Sequence, residues 1–435
     1  MSTLTLILID IILLIVLLML SVPLPVCFAG ALFFLSLFGD VSMKSMLTWV
    51  FAQSTGTVLL ASPLFILAGT YMGGSGIAKR LLDFMDSIVG HIRVGLGIVS
   101  IIVCAIIGAI SGSGFTGVAA TGPIMIPRME EQGYPRGYAT ALVTVSSVLG
   151  LLIPPSVVMV MFGWVTEQSI AACFLSTLGP GLVITALFCI IHTVFSRKYD
   201  LKVLPKKPFG QYMKGIGVNG VRAFPALVMP IIILGGIYGG VFTATEAAAV
   251  AGIYAIPVGL WIYKACKVKD FIRMSKEASS TIGSIMVMIV CCLMLSRVFT
   301  VYQVPEMVLN LFTSISDNKY ILLFIVDIFL FFVGMIVNDT TGVLICAPLL
   351  MPLMRELGVH PIHFAAIMGT NLAMGGVTPP YASILYLGMR IGKAEFADMF
   401  KPTMMFLIFG YVPVVFLVTY WPQLALAIPT WAHLI

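Results

Sequence analysis

Apolar runs separated by short polar breaks fill almost the whole chain, and some of the breaks fall inside the runs instead of between them. Stretches long enough to cross a bilayer lie at about 2–20, 23–38, 47–72, 168–195, 223–240, 243–263, 278–302 and 402–420. A helix rising about 1.5 Å per residue needs about 20 residues to cross a core of about 30 Å. Segments 136–165 and 363–390 also have this length but are broken at Pro154-Pro155 and Pro379-Pro380. Segments 94–129 and 320–354 each hold two apolar arms of about 15–17 residues around a polar tip, Ser111–Gly114 and Asn338–Gly342. Such an arm is about 24 Å long, too short to cross, so both segments read as re-entrant hairpins. An amphipathic stretch precedes each, at 79–91 and 305–316, and is expected to lie along the interface.

The pattern occurs twice. Shifting the sequence by 225 positions lays Thr341–Gly388 over Thr116–Gly163 without a gap, and 13 of the 48 positions are identical. Pro123/Pro348, Pro127/Pro352, Gly150/Gly375, Pro154/Pro379 and Pro155/Pro380 are among the matches. The expected fold is an all-α polytopic membrane protein of two repeats, each with five crossings, one of them broken at Pro-Pro, plus a hairpin. An odd number of crossings starts the second repeat on the opposite side, so the repeats are inverted. The first repeat covers 1–195, with hairpin 94–129 and broken helix 136–165. A basic cytoplasmic linker covers 196–222. The second repeat covers 223–435, with hairpin 320–354 and broken helix 363–390.

Composition sharpens this reading. The 435 residues are 60% hydrophobic and 10% charged, with a mean hydropathy of +1.09. That leaves too little charged surface for a soluble protein of this length. With the N-terminus outside, the cytoplasmic loops take 20 of the 24 Lys and Arg, and only Lys44, Arg297, Lys319 and Arg355 fall outside. This agrees with the positive-inside rule, so the net charge of +6 reports orientation and not nucleic-acid binding. The N-terminal run has no basic n-region and no small-residue cleavage site, and reads as a first span. The eight Cys lack metal-ligand spacing. No phosphate-binding G-x-x-x-x-G-K-[ST] and no H-E-x-x-H is present, and the chain is read as a non-enzyme. Ser111 and Ser113 with His192 form only a remote intramembrane-hydrolase alternative.

The candidate chemistry sits at the breaks. Backbone interrupted at membrane depth survives only where protein or a watery cavity satisfies it. Helix C-termini offer carbonyls to cations, and N-termini offer amides to anions. Paired breaks in the two halves of a chain point to a transporter's binding site. In the first cluster Ser111 and Ser113 supply hydroxyls, with carbonyls of Gly150 to Ile153. In the second, Asn338, Asp339, Thr340 and Thr341 meet Gly375 to Thr378. Sodium suits such oxygens, and the gap between the clusters suits an anion, with Gly114, Thr116, Ser156, Thr340 and Pro380 as candidate substrate contacts. The competing reading is that these small residues simply let helices pack closely. Pro at the breaks is expected in the first turn of each outgoing half-helix. Asp327 needs a partner inside its apolar run, and Arg297 is available. Glu246 is explained by helix capping with Thr243 or Thr245.

SGSGFTGVAATGPIMIPRMEEQGYPRGYA, LGLLIPPS, GGIYGGVFTATEAAAV and GGVTPPYASILYLG together resemble the large membrane subunit of tripartite ATP-independent periplasmic (TRAP) transporters, over nearly the whole chain. The resemblance implies sodium-driven uptake of an organic acid, of sialic acid or four-carbon dicarboxylate type, across the bacterial inner membrane. It implies a scaffold and a mobile transport domain moving as an elevator, no cofactor, and sodium as the coupling ion. It maps the family's sodium sites onto Ser111–Gly114 with Gly150–Pro154 and onto Asn338–Thr341 with Gly375–Pro379. It implies a periplasmic substrate-binding protein and a small four-helix membrane subunit as partners, the latter expected as a separate polypeptide. A self-sufficient sodium/carboxylate symporter is the alternative.

Overall fold

The computed structural model describes residues 3–20, 22–39, 41–202, 208–379 and 382–435, and every regular element among them is a helix. Among the described residues, seven helices are long and apolar enough to cross a membrane: Thr57–Gly74, Ile170–Lys198, Phe209–Tyr238, Ala244–Ile262, Val268–Val301, Lys319–Ile336 and Phe396–Tyr420. The first hairpin pairs Gly95–Ser111 with Gly114–Gln132, and the second pairs Lys319–Ile336 with Asp339–Glu356. The broken crossings are Arg136–Ser147 with Val157–Val165, and Pro361–Gly375 with Ser383–Gly392. Amphipathic helices Ile77–Val89 and Val304–Ile315 precede the hairpins, as the sequence pattern predicts.

Repeat-related positions make repeat-related contacts. A Cβ on Gly117 would lie 3.0 Å from Ser147 Cβ, and one on Gly342 would lie 2.9 Å from Leu372 Cδ2. Each pair is the other shifted by the repeat. The repeats also interleave. Val157–Val165 packs on Asp339–Glu356 of the second hairpin, and Ser383–Gly392 packs on Gly114–Gln132 of the first. Likewise Ile170–Phe195 packs on Pro361–Gly375, and Phe396–Phe406 packs on Arg136–Ser147. The hairpins and broken helices therefore share one packed body with a common core.

Four local expectations change. The run at 47–72 is two helices, Met43–Ser54 and Thr57–Gly74. Ser54 and Thr55 turn their hydroxyls back onto the carbonyls of Val50 and Ala52, and extended Gly56 redirects the chain. The hairpin arms have 17, 19, 18 and 18 residues, since helix continues into the less apolar flanks. At about 26–29 Å, arm length alone no longer separates re-entry from crossing. The hairpin reading rests instead on two-residue connections and buried tips: Ser111 is 1% exposed and Thr341 0%. Pro154 and Pro155 lie in the non-helical break ahead of Ser156, which is the N-cap of Val157–Val165, and Pro379 also stands outside a helix. The break therefore uses them as interrupters and not as a helical first turn. Finally, helix Phe209–Tyr238 begins inside the stretch read as linker.

Candidate functional site

Each hairpin tip is a helix C-terminus joined by a two-residue connection to a helix N-terminus. At the first, Gly112 takes φ +64°, the left-handed conformation that glycine tolerates, and its N–H closes on Gly108 O at 2.7 Å. Ser111 Oγ donates to Ser113 O at 3.3 Å. Ser113 is the N-cap of the second arm, yet its own side chain makes no capping bond. The tip is tied to the break by Val157 N–H, which donates to Gly112 O at 3.4 Å. Gly150 stands against Gly108 backbone to backbone, and a Cβ on Gly150 would lie 3.4 Å from Ser113 O. The structure thus gathers Ser111, Ser113 and Gly150. Ile153 closes the break, its N–H donating to Leu149 O at 2.8 Å.

At the second tip Asn338 caps the outgoing arm, its side chain accepting from Thr341 N–H at 2.9 Å. Asp339 Oδ1 accepts from Thr340 N–H at 2.9 Å. Gly375 packs directly on the Gly334 backbone, as Gly150 does on Gly108. Thr378 turns its hydroxyl onto Met374 O at 2.8 Å, and its N–H donates to Gly375 O at 3.0 Å. Thr341 directs its hydroxyl at Met288 Sδ, 2.9 Å away on Val268–Val301. The first tip has a similar neighbour in Gly69 of Ala61–Gly74, where a Cβ would meet Ser111 Cβ at 2.8 Å.

The two halves of the site adjoin. Ile384 Cδ1 lies 2.8 Å from where Gly114 would carry a Cβ and 3.1 Å from where Gly376 would. One methyl group therefore links the first tip to the second break. Three helix N-termini, at Gly114, Val157 and Ser383, start in this region, Val157 N–H meeting Gly112 O and Ile384 meeting Gly114. Of the candidate substrate contacts, Thr116 is half-buried and Thr340 is buried. Ser156 is fully buried, and its hydroxyl donates to Leu151 O at 2.6 Å. Pro380 lies outside the described residues.

Other polar expectations resolve individually. Glu246 and Thr243 form a reciprocal capping box at Ala244–Pro257, with Thr243 N–H donating to Glu246 Oε2 at 2.8 Å. Asp327 does not meet Arg297, which lies over the Trp49 ring at 5.2 Å. It bonds Asn371 and Thr419 instead, because the apolar arm faces Pro361–Gly375 and Val412–Tyr420 and not Val268–Val301. His192 is held by Val94 O at 3.1 Å and Tyr138 Oη at 2.9 Å, on the far arm end from Ser111 and Ser113, so the remote hydrolase pairing has no geometry. No group of three or more His, Cys, Asp or Glu that could hold a metal ion occurs among the described residues. Sequence reasoning missed the Gly108–Gly150 and Gly334–Gly375 contacts. Gly108 and Gly334 are one position out of the repeat register, which hid the pairing.

A cavity of about 800 Å³ lies away from the tips, between Ile77–Val89, the outer ends of the first hairpin and the start of Phe209–Tyr238. Asp83, Asp86, Arg128, Glu131, Lys202 and Tyr212 line it. Arg128 bridges to Asp83 at 3.4 Å across it.

Residues 11–424 match the family described as "Tripartite ATP-independent periplasmic transporter, DctM component". The C4-dicarboxylate TRAP transporter large permease protein DctM of Pseudomonas aeruginosa is 34% identical, over 93% of each chain. The sialic acid TRAP transporter large permease protein SiaM of Vibrio cholerae is 33% identical, over 85% of this chain and 86% of that one. Among solved structures, the YdaH transporter of Alcanivorax borkumensis superposes with a TM-score of 0.59 at 14% identity, covering 88% of this chain and 90% of that one. That last likeness concerns the fold alone.

Proposed function

Because this chain belongs to the DctM family, the large permease component of TRAP transporters, we propose that it takes up an organic acid by sodium-coupled secondary transport. It is a multi-pass membrane protein. In this reading it sits in the bacterial inner membrane with its N-terminus in the periplasm. It receives substrate from a periplasmic binding protein and works beside a small four-helix membrane subunit. Sialic acid and four-carbon dicarboxylates are both retained as substrate types, because relatives named for each are about one-third identical to this chain over most of its length.

The observation that supports the reading is the pairing of each hairpin with a broken helix near its tip: Ser113 O against Gly150 at the first, and Gly334, about one turn before Asn338, against Gly375 at the second. Helix C-termini at the tips direct carbonyls where a cation gains from them, and the adjoining N-termini favour a carboxylate. Sodium bound at the tips would order the anion site between them. The interleaved hairpins and broken helices suit a body that moves as a unit, as an elevator requires, against the scaffold helices Ala61–Gly74 and Val268–Val301.

The test is uptake in vesicles reconstituted with the chain and its partners. An inward sodium gradient should accumulate substrate, and a proton gradient alone should do little. Equal uptake under both gradients would sink sodium coupling. Full uptake without the binding protein would favour the self-sufficient symporter.

A further inference from the structure

The second hairpin contains a carboxylate that the sodium reading does not use. Asp327 lies midway along Lys319–Ile336 and is 4% exposed. Its Oδ1 accepts from Asn371 Nδ2 at 2.9 Å and from Thr419 Oγ1 at 3.0 Å. Asn371 and Thr419 are each 1% exposed. Asn371 Nδ2 gives its other hydrogen to Ile367 O at 3.0 Å. Two buried oxygens then remain without a donor, Asp327 Oδ2 and Asn371 Oδ1. While the carboxylate is ionised both are acceptors only, so neither can satisfy the other.

Among the described residues, no ion pair to Asp327 is formed, and no cation on the helices packed against its arm faces it. The helices packed on this arm are Pro361–Gly375, Asp339–Glu356 and Val412–Tyr420. On the first, His363 Nε2 bonds Val418 O at 2.7 Å, and His360 caps the helix start. On the second, Asp339 is engaged at the tip, Cys346 is a buried free thiol, and Arg355 and Glu356 end the helix. On the third, Tyr420 Oη donates to Tyr320 O at 3.1 Å; Tyr411, just before that helix, is buried. Lys319 stands at the start of the arm itself, about two turns away. An ionised carboxylate buried without a cation is strongly disfavoured.

We propose that Asp327 and Asn371 form a proton-binding site. Asp327 Oδ2 carries the proton and donates it to Asn371 Oδ1, while Asn371 Nδ2 donates to Asp327 Oδ1. One proton satisfies both leftover oxygens and removes the charge. Covalent geometry permits the ring, because each leftover oxygen shares a carbon with one atom of the 2.9 Å bond. A metal ion in the same place is disfavoured, since hard cations take about six oxygens or more and two are left over. The site belongs to one repeat only, as Ile102 and Ser146 stand at the matching positions of the other. Asp339 is then the carboxylate at the second hairpin's tip that the sodium reading can use.

Infrared difference spectra of the purified chain in nanodiscs, wild type minus Asp327→Asn at neutral pH, test this. They should show the carbonyl band of a protonated carboxylic acid, shifted in heavy water. Asn371→Leu should move that band, because the amide partner is gone and only Thr419 still donates to Asp327 Oδ1. Asp327→Asn keeps the ring as an amide pair, so it should fold and melt like wild type at neutral pH. The wild-type melting temperature should fall as pH rises, because the native state holds a proton that the unfolded chain releases, and the Asn variant should lose this fall. A wild-type spectrum without the band overturns the proposal, and so does an Asp327→Asn chain that fails to fold. Wild-type melting raised by sodium, with that rise lost in Asp327→Asn, would likewise overturn it and assign the carboxylate to a metal ion.

Discussion

Ser113 keeps its hydroxyl out of the capping bond that its register partner Asn338 makes. That hydroxyl is uncommitted to the helix, so Ser113→Ala should raise the sodium concentration needed for half-maximal uptake while leaving the melting temperature nearly unchanged. Asn338→Ala removes a cap as well, and should cost about 1 kcal/mol of stability besides any loss of sodium affinity. Asp339→Asn deletes a full charge at the second tip, so it should weaken sodium binding more than loss of any single hydroxyl. Expression should survive, since neutralising an intramembrane acid relieves a desolvation cost. Sodium titrations of uptake in the three variants check this ordering, and unchanged curves in all three would favour a packing role for the tips. Thr341 behaves differently in the structure, its hydroxyl being directed at Met288 Sδ.

At the scale of elements, one backbone-to-backbone contact holds each hairpin on its broken helix, Gly108 on Gly150 in the first and Gly334 on Gly375 in the second. A side chain there has no flexible atom to push aside; it meets main chain. Gly150→Ala and Gly375→Ala should therefore sharply reduce folded protein, read as the monodisperse yield in detergent. Gly217→Ala is the control. That glycine lies in the exposed interior of Phe209–Tyr238 with nothing near its would-be Cβ. The change should be tolerated or stabilise by about 0.5–1 kcal/mol through helix propensity. Equal yields from all three chains would show that the close approaches are not needed.

At the scale of the whole molecule, the Asp83–Arg128 pair joins the amphipathic helix Ile77–Val89 to the second arm of the first hairpin. Its side chains are 29% and 36% exposed, so the pair is worth about 0–1 kcal/mol at most. The ion pair adds little to the apolar packing of Ile77–Val89 on Gly95–Ser111, and the proposed elevator movement would require that packing to part or slide. Cysteines introduced at both positions of the ion pair and joined by a short bifunctional reagent should stop uptake, and cleaving the linker should restore it. Uptake unaffected by complete cross-linking would exclude movement of this hairpin past Ile77–Val89.

Much of the architecture is legible in the sequence, because apolar length and periodic breaks are local properties. Membrane class, the paired polar breaks, the interruption at Pro154-Pro155 and the amphipathic helices all follow from runs that any neighbour would leave intact, whereas the hairpin turn itself rests on the two-residue connections and buried tips. The Glu246 cap is legible for the same reason, its partner being three residues away. Tertiary structure alone decided which helices meet. The sequence offers Arg297 as a partner for Asp327, but an arm's rotation about its axis depends on what packs around it, and it turns Asp327 to Asn371 and Thr419. The Gly108–Gly150 approach and the meeting of the first tip with the second break at Ile384 are likewise long-range contacts. Their residues are unremarkable in a chain of small and apolar side chains until packing brings them together.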